Sequence, residues 1–319
     1  YNELLVFAGS RLNRPLQKPA LFRLAYEICG GKDWEQYVPV AAAFELLNIS
    51  SYQSNASFDH KLATLTDENK DAQFICSMIS RELVTKVLRG CSVLSAETLA
   101  GLEASIGRIN EHIYFAQYYD LFVLNVRRLD TYLADEPLFL ADYEKRCFFG
   151  SGIFNGQICY WGGRLAAGNR ERLSALKAFG DEFGTALQIA NDIGDYSPVD
   201  LNEPNPRDYQ DRNSDFRNGR LTAILYHMIA QSSGQVATEV RNLLADSCRP
   251  SNLNGCLAQL CVATGSLNYV RHLAAGHIRT ARQHLAEFPE SALVSLLKQL
   301  LTIAANNKFI TAFRRECHG

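Results

Sequence analysis

The segment Ala186–Ser197, "ALQIANDIGDYS", decides the fold, because its polar side chains recur at helical spacing. They stand at i, i+3, i+4 and i+7, which places them on one side of a helix: Gln188, Asn191, Asp192 and Asp195. The alanine and isoleucine side chains between them mostly point elsewhere. Such a stripe is either a solvated face or the wall of a polar site, and the segment alone favours the solvated face.

The composition excludes several classes of protein. The chain has 319 residues, 47% of them hydrophobic, and a net charge of −2, which gives no broad attraction to nucleic acid or anionic lipid. No apolar run is long enough to span a membrane. Nine cysteines without paired metal-ligand spacing predict reduced thiols in a cytoplasmic protein. The sequence begins at Tyr1 rather than Met, so organelle targeting by a preceding segment stays open.

Helical periodicity runs along the whole chain and predicts an all-α protein with a single domain over 1–319, built as a helix bundle. The predicted helices are roughly 15–29, 35–62, 68–89, 95–130, 139–167, 170–197, 219–231, 235–247, 252–262, 265–286 and 289–315. Three glycines in "FFGSGIFNG" predict a weakened or kinked helix. The polar segment 197–218 is interpreted equally as a binding loop or as a surface insertion.

Several motifs carry a resemblance to one family. "GTALQIANDIGDY" resembles the second aspartate-rich motif, FQxxDDxxD, of the trans-isoprenyl diphosphate synthases. Three further segments resemble the family's GGKxNRG, GQxxDL and DLxxGKxT stretches, in family order: "GSRLNRP" with Arg11, Asn13 and Arg14, "FAQYYDL" with Gln117 and Asp120, and "SDFRNGRLT" with Asp215, Gly219, Arg220 and Thr222. The chain is identified as a divergent member of this superfamily, which implies an isoprenoid-synthase helix bundle with a central prenyl and diphosphate cavity.

The departures from the family pattern are concentrated in the first aspartate-rich motif. At Glu45 to Asp59 the chain reads "ELLNISSYQSNASFD", so Asn55 and Ala56 replace two aspartates and only Asp59 remains. The expected arginine pair that follows is absent. The family's Lys-Thr falls near Gly150, with an uncertainty of one residue, so that lysine is missing too.

The resemblance implies site residues that can be carried over one by one. An active member holds three Mg²⁺ between six carboxylates, whereas this chain keeps three, so fewer than three Mg²⁺ ions, or none, are expected. The candidate metal ligands are Asn191, Asp192, Asp195 and Asp59. The candidate catalytic residues are Gln188, Asp192, Asp195 and Arg220. The candidate residues for binding a prenyl diphosphate are Arg11, Asn13, Arg14, Ser50, Ser51, Asn55, Asp59, Gln117 and Asp215, with Arg212 as a further cation.

Two expectations concern apolar groups. By resemblance, Ser50 and Ser51 form the floor of a prenyl tunnel, and their small size implies a deep one unless Tyr52 refills it. Tyr118 and Phe122 share a helix face with Tyr114; ring faces of this kind can stabilise a carbocation, but ordinary packing in the bundle is the favoured interpretation.

Two functions compete, and a plain helical scaffold without a ligand is disfavoured. The first is a divergent enzyme, a prenyltransferase or terpene-synthase-like protein that acts on an allylic prenyl diphosphate with Mg²⁺. The alternative is a catalytically silent regulatory subunit that pairs with an active prenyl diphosphate synthase. A homodimer, or a heteromer with an active synthase, is expected from the resemblance.

Overall fold

The computed structural model describes residues 17–59, 67–196, 213–245 and 253–305, and within these ranges the expected all-α fold is confirmed. The α-helices are α1 Gln17–Ile28, α2 Val38–Asp59, α3 Asp67–Arg89, α4 Ala96–Tyr118, α5 Leu129–Ala134, α6 Glu136–Cys147, α7 Ile153–Leu165, α8 Arg170–Asp195, α9 Ser214–Arg217, α10 Ala223–Gln231, α11 Gly234–Ala245, α12 Leu253–Ala263, α13 Ser266–His284 and α14 Ala292–Ala305. Single 3-10 turns precede α2 and α5 and follow α13. None of the helices in the described ranges is long and apolar enough to cross a membrane.

The long helix predicted over 95–130 is interrupted, which is a correction to the sequence prediction. The α-helix ends at Tyr118, and one π-helical turn, Tyr119–Val123, follows it. Leu124 then leaves the helical region at φ −87° and ψ 72°. Asn125 is the N-cap of the 3-10 turn that follows, since its side chain accepts a hydrogen bond from the Arg127 N–H at 3.0 Å. The apolar period continues through this break, so periodicity alone could not show it.

The glycine-rich stretch produces the predicted interruption, as a second π-helical turn. Phe148–Gly152 links α6 to α7 with one residue more per turn than an α-helix. Single π-helical turns of this kind occur frequently at functional sites. Both π-helical turns adjoin the residues of the candidate site described below.

The chain divides into two compact units, each of which has its own buried residues. The first unit comprises the described residues within Tyr1–Ile113, Ile153–Asp181 and Ala281–Lys298. Its helices α1 and α7 pack closely because Gly162 lacks a side chain, and a Cβ there would lie 2.5 Å from the Phe22 carbonyl oxygen. The single domain over 1–319 stays a prediction.

The second unit comprises the described residues within Tyr114–Gly152, Glu182–Thr280 and Gln299–Gly319. Its core contains a stack in which the Phe139 ring lies 3.9 Å from the Tyr226 ring and 5.8 Å from the Tyr143 ring, centroid to centroid. This core also buries Ile189 and Ile193 of α8. The apolar side of α8 is thus fixed in the unit, which orients the polar side chains of the same helix.

Candidate functional site

The last two turns of α8 carry the polar stripe that the sequence predicts. Asp192 is buried at 1% exposure, Asp195 and Gln188 are half-buried, and Asn191 is exposed. Gln188 donates from Nε2 to Asp192 Oδ1 at 3.2 Å, one helical turn away. The stripe is therefore the wall of a polar site for Asp192 and a solvated face for Asn191.

A buried arginine from α6 holds the Asp192 carboxylate. Arg146 donates from Nη1 to Asp192 Oδ2 at 2.8 Å and to Oδ1 at 3.0 Å. The same guanidinium donates to Asp120, from Nε to Oδ1 at 2.7 Å and from Nη2 to Oδ2 at 3.2 Å. Asp120 lies in the first π-helical turn, and both it and Arg146 are almost fully buried. Asp120, Arg146 and Asp192 are called the ion triad.

Tyr143 completes the shell of hydrogen bonds around Asp192, since its hydroxyl donates to Oδ2 at 2.8 Å. Burial raises the pKa of Tyr143 well above its ordinary value, and the nearby Asp192 carboxylate raises it further. Burial alone would lower the pKa of Arg146, but the carboxylates of Asp120 and Asp192 raise it well above its usual range. Burial raises the pKa of Asp192, and Arg146 acts in the opposite direction. Arg146 is therefore held as a cation inside the unit.

Asp195 has a different set of partners. Its Oδ1 accepts from the Ser214 backbone N–H at 3.1 Å, and its Oδ2 accepts from the Asp215 N–H at 2.9 Å. The carboxylate thus caps the backbone of the short helix α9. Asp215 in turn is bonded to Arg220, with Nη1 to Oδ1 at 3.2 Å, and both side chains are buried.

A short antiparallel bridge fixes Arg220 in place. Val126 N–H donates to the Gly219 carbonyl at 2.9 Å, and Leu221 N–H donates to the Leu124 carbonyl at 2.8 Å. Gly219 has a φ of +64°, a left-handed conformation that favours glycine. The helix predicted over 219–231 therefore begins only at Ala223, after Thr222 caps it.

These carboxylates do not fit Mg²⁺ in the arrangement that the structure shows. Mg²⁺ requires oxygen ligands in near-octahedral geometry, but both oxygens of Asp192 already accept hydrogen bonds from Arg146. Both oxygens of Asp195 accept from backbone N–H groups. Among the described residues, no group of three or more His, Cys, Asp or Glu side chains is placed to hold a metal ion. The ligand role of Asp192 and Asp195 stays a prediction.

The first motif lies in the other unit, on α2. Ser50 is fully buried; its hydroxyl donates to the Ser77 carbonyl at 2.9 Å and accepts from Arg81 Nε at 2.9 Å. The Arg81 side chain therefore lies beside Ser50, and the role of Ser50 and Ser51 as the floor of a prenyl tunnel stays a prediction. Ser51 donates to the Leu47 carbonyl of its own helix, and Tyr52 is 43% exposed.

The other residues predicted for the site lie on several helices or outside the described part of the chain. Asn55 is half-buried on α2, and Gln117 is buried on α4, in the second unit. Asp59 is the last residue of α2, but its side chain lies outside the described part of the chain. Arg11, Asn13, Arg14 and Arg212 also lie outside the described residues. The second unit brings together Gln188, Asp192, Asp195, Asp215 and Arg220, while Ser50, Ser51, Asn55 and Asp59 belong to the first.

The aromatic side chains at the end of α4 differ from the packing that was expected. Tyr118 and Phe122 are 54% and 64% exposed, with ring centroids 5.3 Å apart. Core packing is therefore the wrong interpretation for this pair. Phe154, within the glycine-rich stretch, and Trp161, on α7 after it, are both buried.

The sequence reasoning missed Arg146 and Tyr143 as members of the site. Both lie on α6, 46 and 49 positions before Asp192 in the chain. The available signal was the sequence "DYEKRCFFG", in which a charged residue precedes an aromatic and apolar segment. Asp120 was matched to a family motif, but its pairing with an arginine was not foreseen.

Comparison with known proteins supports the fold. The structure is similar to that of a polyprenyl synthase from Caulobacter crescentus CB15 determined with calcium and isoprenyl diphosphate, at a TM-score of 0.77 and 19% identity over 92% of this chain and 85% of that chain. It is also similar to a decaprenyl diphosphate synthase from Rhodobacter capsulatus, at a TM-score of 0.72 and 16% identity over 95% and 89%. A geranylgeranyl pyrophosphate synthase from Corynebacterium glutamicum with isoprenyl diphosphate and magnesium gives a TM-score of 0.71 and 16% identity over 96% and 90%.

No protein-family model and no curated protein matches the sequence. The likeness to solved structures defines the class: the chain has the fold of the trans-isoprenyl diphosphate synthases, as the order of its motifs predicts. In this chain, Asp192 of the α8 stripe is hydrogen-bonded to Arg146. A shared fold does not by itself assign an activity.

Proposed function

We propose that this chain is a catalytically silent protein with a prenyl-synthase fold, which acts as a subunit beside an active prenyl diphosphate synthase. The observation that carries the proposal is the ion triad. Asp192 uses both carboxylate oxygens to accept from Arg146 and Tyr143 inside the unit. A carboxylate engaged in this way is not available to hold a metal–diphosphate complex.

The electrostatic requirement of the family's chemistry supports the same proposal. Departure of diphosphate from an allylic carbon needs positive charge that is directed at the leaving group. The two buried cations of the site, Arg146 and Arg220, are directed at carboxylates instead. Their charge is largely neutralised before any ligand arrives.

The position of the missing lysine adds further support. A Cβ built on Gly150 would lie 3.7 Å from Gln188 Oε1, so a longer side chain at this position would reach the polar end of α8. Glycine supplies no cation there. The first motif is similarly depleted, because Asn55 and Ala56 stand where the resemblance implies carboxylates.

The test is an activity assay with and without a partner. The pure chain is incubated with Mg²⁺, isopentenyl diphosphate and allylic diphosphates of several lengths, and products are separated by chromatography. We expect no product from the chain alone, and a changed product distribution or yield when it is co-purified with an active synthase. Product formation by the chain alone that is lost in Asp192→Ala, but kept in Glu239→Gln, would contradict the proposal. Glu239 is an exposed carboxylate on α11.

A further inference from the structure

A group of polar side chains is buried where α2 packs against α3 in the first unit. Serine and glutamine side chains from both helices form this group, called the polar layer: Ser50, Gln53, Ser54, Gln73, Ser77 and Ser80. They recur at helical spacing on one face of each helix, so the sequence directs them into the interface. Farther along the same face of α3, Val84 and Leu88 are apolar and buried. The polar layer is therefore a local feature of this helix pair.

Hydrogen bonds across the interface satisfy only part of the polar layer. The Ser50 hydroxyl donates to the Ser77 carbonyl at 2.9 Å, and the Ser80 hydroxyl donates to Gln53 Oε1 at 3.0 Å. Gln53 is fully buried and Gln73 is 8% exposed, yet Gln53 Nε2 and Gln73 Oε1 have no hydrogen-bond partner among the described residues. Because a buried polar atom without a partner costs free energy, such atoms usually bind a ligand or an ordered water.

Arg81 of α3 brings a positive charge to the polar layer. Its Nε donates to the Ser50 hydroxyl oxygen at 2.9 Å, and the residue as a whole is half-buried. Burial lowers the pKa of Arg81 from 12.5 to about 10, because a charged group loses water when it is buried. An anion beside the guanidinium would act in the opposite direction and stabilise the charged form. Since Arg81 is only half-buried, solvent reaches the polar layer along this side chain.

We propose that the polar layer and Arg81 form a binding site for a small oxyanion, of the size of inorganic phosphate or a short carboxylate. Guanidinium and amide N–H groups are donors, and oxyanions are strong acceptors for them. An apolar ligand would leave the Gln53 and Gln73 amide atoms without partners. A neutral polar ligand could pair with these atoms but would not interact favourably with the charge of Arg81.

This inference goes beyond the proposed function. The oxyanion site belongs to the first unit, whereas the ion triad belongs to the second. Its test measures binding and not product formation, so the two proposals can fail separately.

The experiment follows thermal unfolding of the full chain by circular dichroism at neutral pH, with increasing inorganic phosphate, acetate or acetamide. Sodium chloride holds the ionic strength constant, and isothermal titration calorimetry gives the affinity. We expect phosphate or acetate to raise the unfolding temperature in a saturable way, because a ligand of the folded state stabilises it. The comparison of phosphate with acetate shows which oxyanion the site takes. Acetamide has the shape of acetate without its charge, and it should give no saturable rise.

Two variants of the site and one control locate the bound anion. Arg81→Met removes the charge and Gln53→Met removes the amide, and each should weaken anion binding at least about tenfold. Arg89→Met, which removes an exposed arginine of the same helix, should bind as the unsubstituted chain does. If Arg81→Met does not fold, Gln53→Met decides.

Three results would overturn the oxyanion site. The first is that neither anion binds saturably to the unsubstituted chain, which would leave ordered water as the partner of the amide atoms. The second is that acetamide raises the unfolding temperature as much as the anions do. The third is that a folded Arg81→Met or Gln53→Met variant binds the anion as tightly as the unsubstituted chain.

Discussion

Replacing Arg146 by methionine tests whether the ion triad is a structural unit of the folded protein. Methionine fills much of the volume of the arginine side chain, so the change isolates the charge. It leaves Asp120 and Asp192 buried together after four N–H···O contacts are lost. Removal of one partner from a buried ion pair costs about 3–5 kcal/mol, because the remaining charge is uncompensated. Since a whole protein is stable by only about 5–15 kcal/mol, Arg146→Met should unfold at far lower denaturant than the unsubstituted chain.

The pH dependence of the same variant gives an independent measurement. Without Arg146, burial and the neighbouring carboxylates raise the pKa of Asp192 in the folded state above that in the unfolded chain. The folded state then binds more protons, so the free energy of unfolding falls as pH rises through this interval and recovers as pH falls. Urea unfolding of Arg146→Met should therefore give a higher free energy of unfolding at about pH 5 than at about pH 8, the range in which most proteins are stable.

Two matched variants test whether the loss of stability comes from breaking the ion triad. Arg89→Met removes an arginine whose side chain is 65% exposed and paired with Glu103, and it should cost at most about 1 kcal/mol. The triple variant Arg146→Met/Asp120→Asn/Asp192→Asn removes all three charges, and it should recover most of the loss. The ion triad is not a structural unit of the folded protein if Arg146→Met costs no more than Arg89→Met, or if the triple variant is as unstable as the single one.

Further predictions concern single substitutions outside the ion triad. Burial lowers the pKa of Lys18 from 10.5 to about 8, so Lys18→Met should raise the free energy of unfolding at pH 7 by at most about 3 kcal/mol. The unfolded chain binds the Lys18 proton more tightly than the folded chain does. The difference in free energy of unfolding between Lys18→Met and the unsubstituted chain should therefore shrink as pH rises from about 8 to 10.5, as measured by urea unfolding. Gly162→Ala should destabilise the first unit by about 1–3 kcal/mol, because the new Cβ meets the Phe22 carbonyl. Gly107→Ala, where a Cβ meets nothing within 4 Å, should stabilise the chain by up to about 1 kcal/mol in the same chemical unfolding assay. Asn191→Asp restores a motif carboxylate at an exposed position, and on the proposed function it should yield no product from allylic diphosphates while changing stability by less than about 0.5 kcal/mol.

Much of the fold is predictable because helical periodicity is a local property. One short segment of sequence shows the polar stripe of α8. Ile189 and Ile193, two of the apolar residues that alternate with the polar ones, are buried in the core as this pattern predicts. Helical periodicity does not predict the two π-helical turns. The glycines near Gly150 signal the second turn, but the first, Tyr119–Val123, has ordinary residues and no local signature.

The site is only partly predictable, because its decisive contacts join distant parts of the chain. Arg146 lies 26 positions from Asp120 and 46 positions from Asp192. The spacing of Gln188, Asp192 and Asp195 indicates which side chains share a helix face, but not what faces them. A carboxylate stripe that awaits a metal and one that is bonded to an arginine have the same pattern, so the sequence alone could not predict the contact between Arg146 and Asp192.

The number of cations near α8 matters less than the direction in which each one acts. By resemblance, a lysine is expected near Gly150, at a position from which a side chain reaches Gln188. This chain instead has Arg146, one turn earlier, where its guanidinium is buried against Asp192. A positive charge is present in both arrangements, but only a cation that faces the ligand can stabilise a departing diphosphate. The guanidinium of Arg146 is instead directed at Asp120 and Asp192, so its charge is opposed by two carboxylates, in agreement with the proposal that the chain alone forms no product.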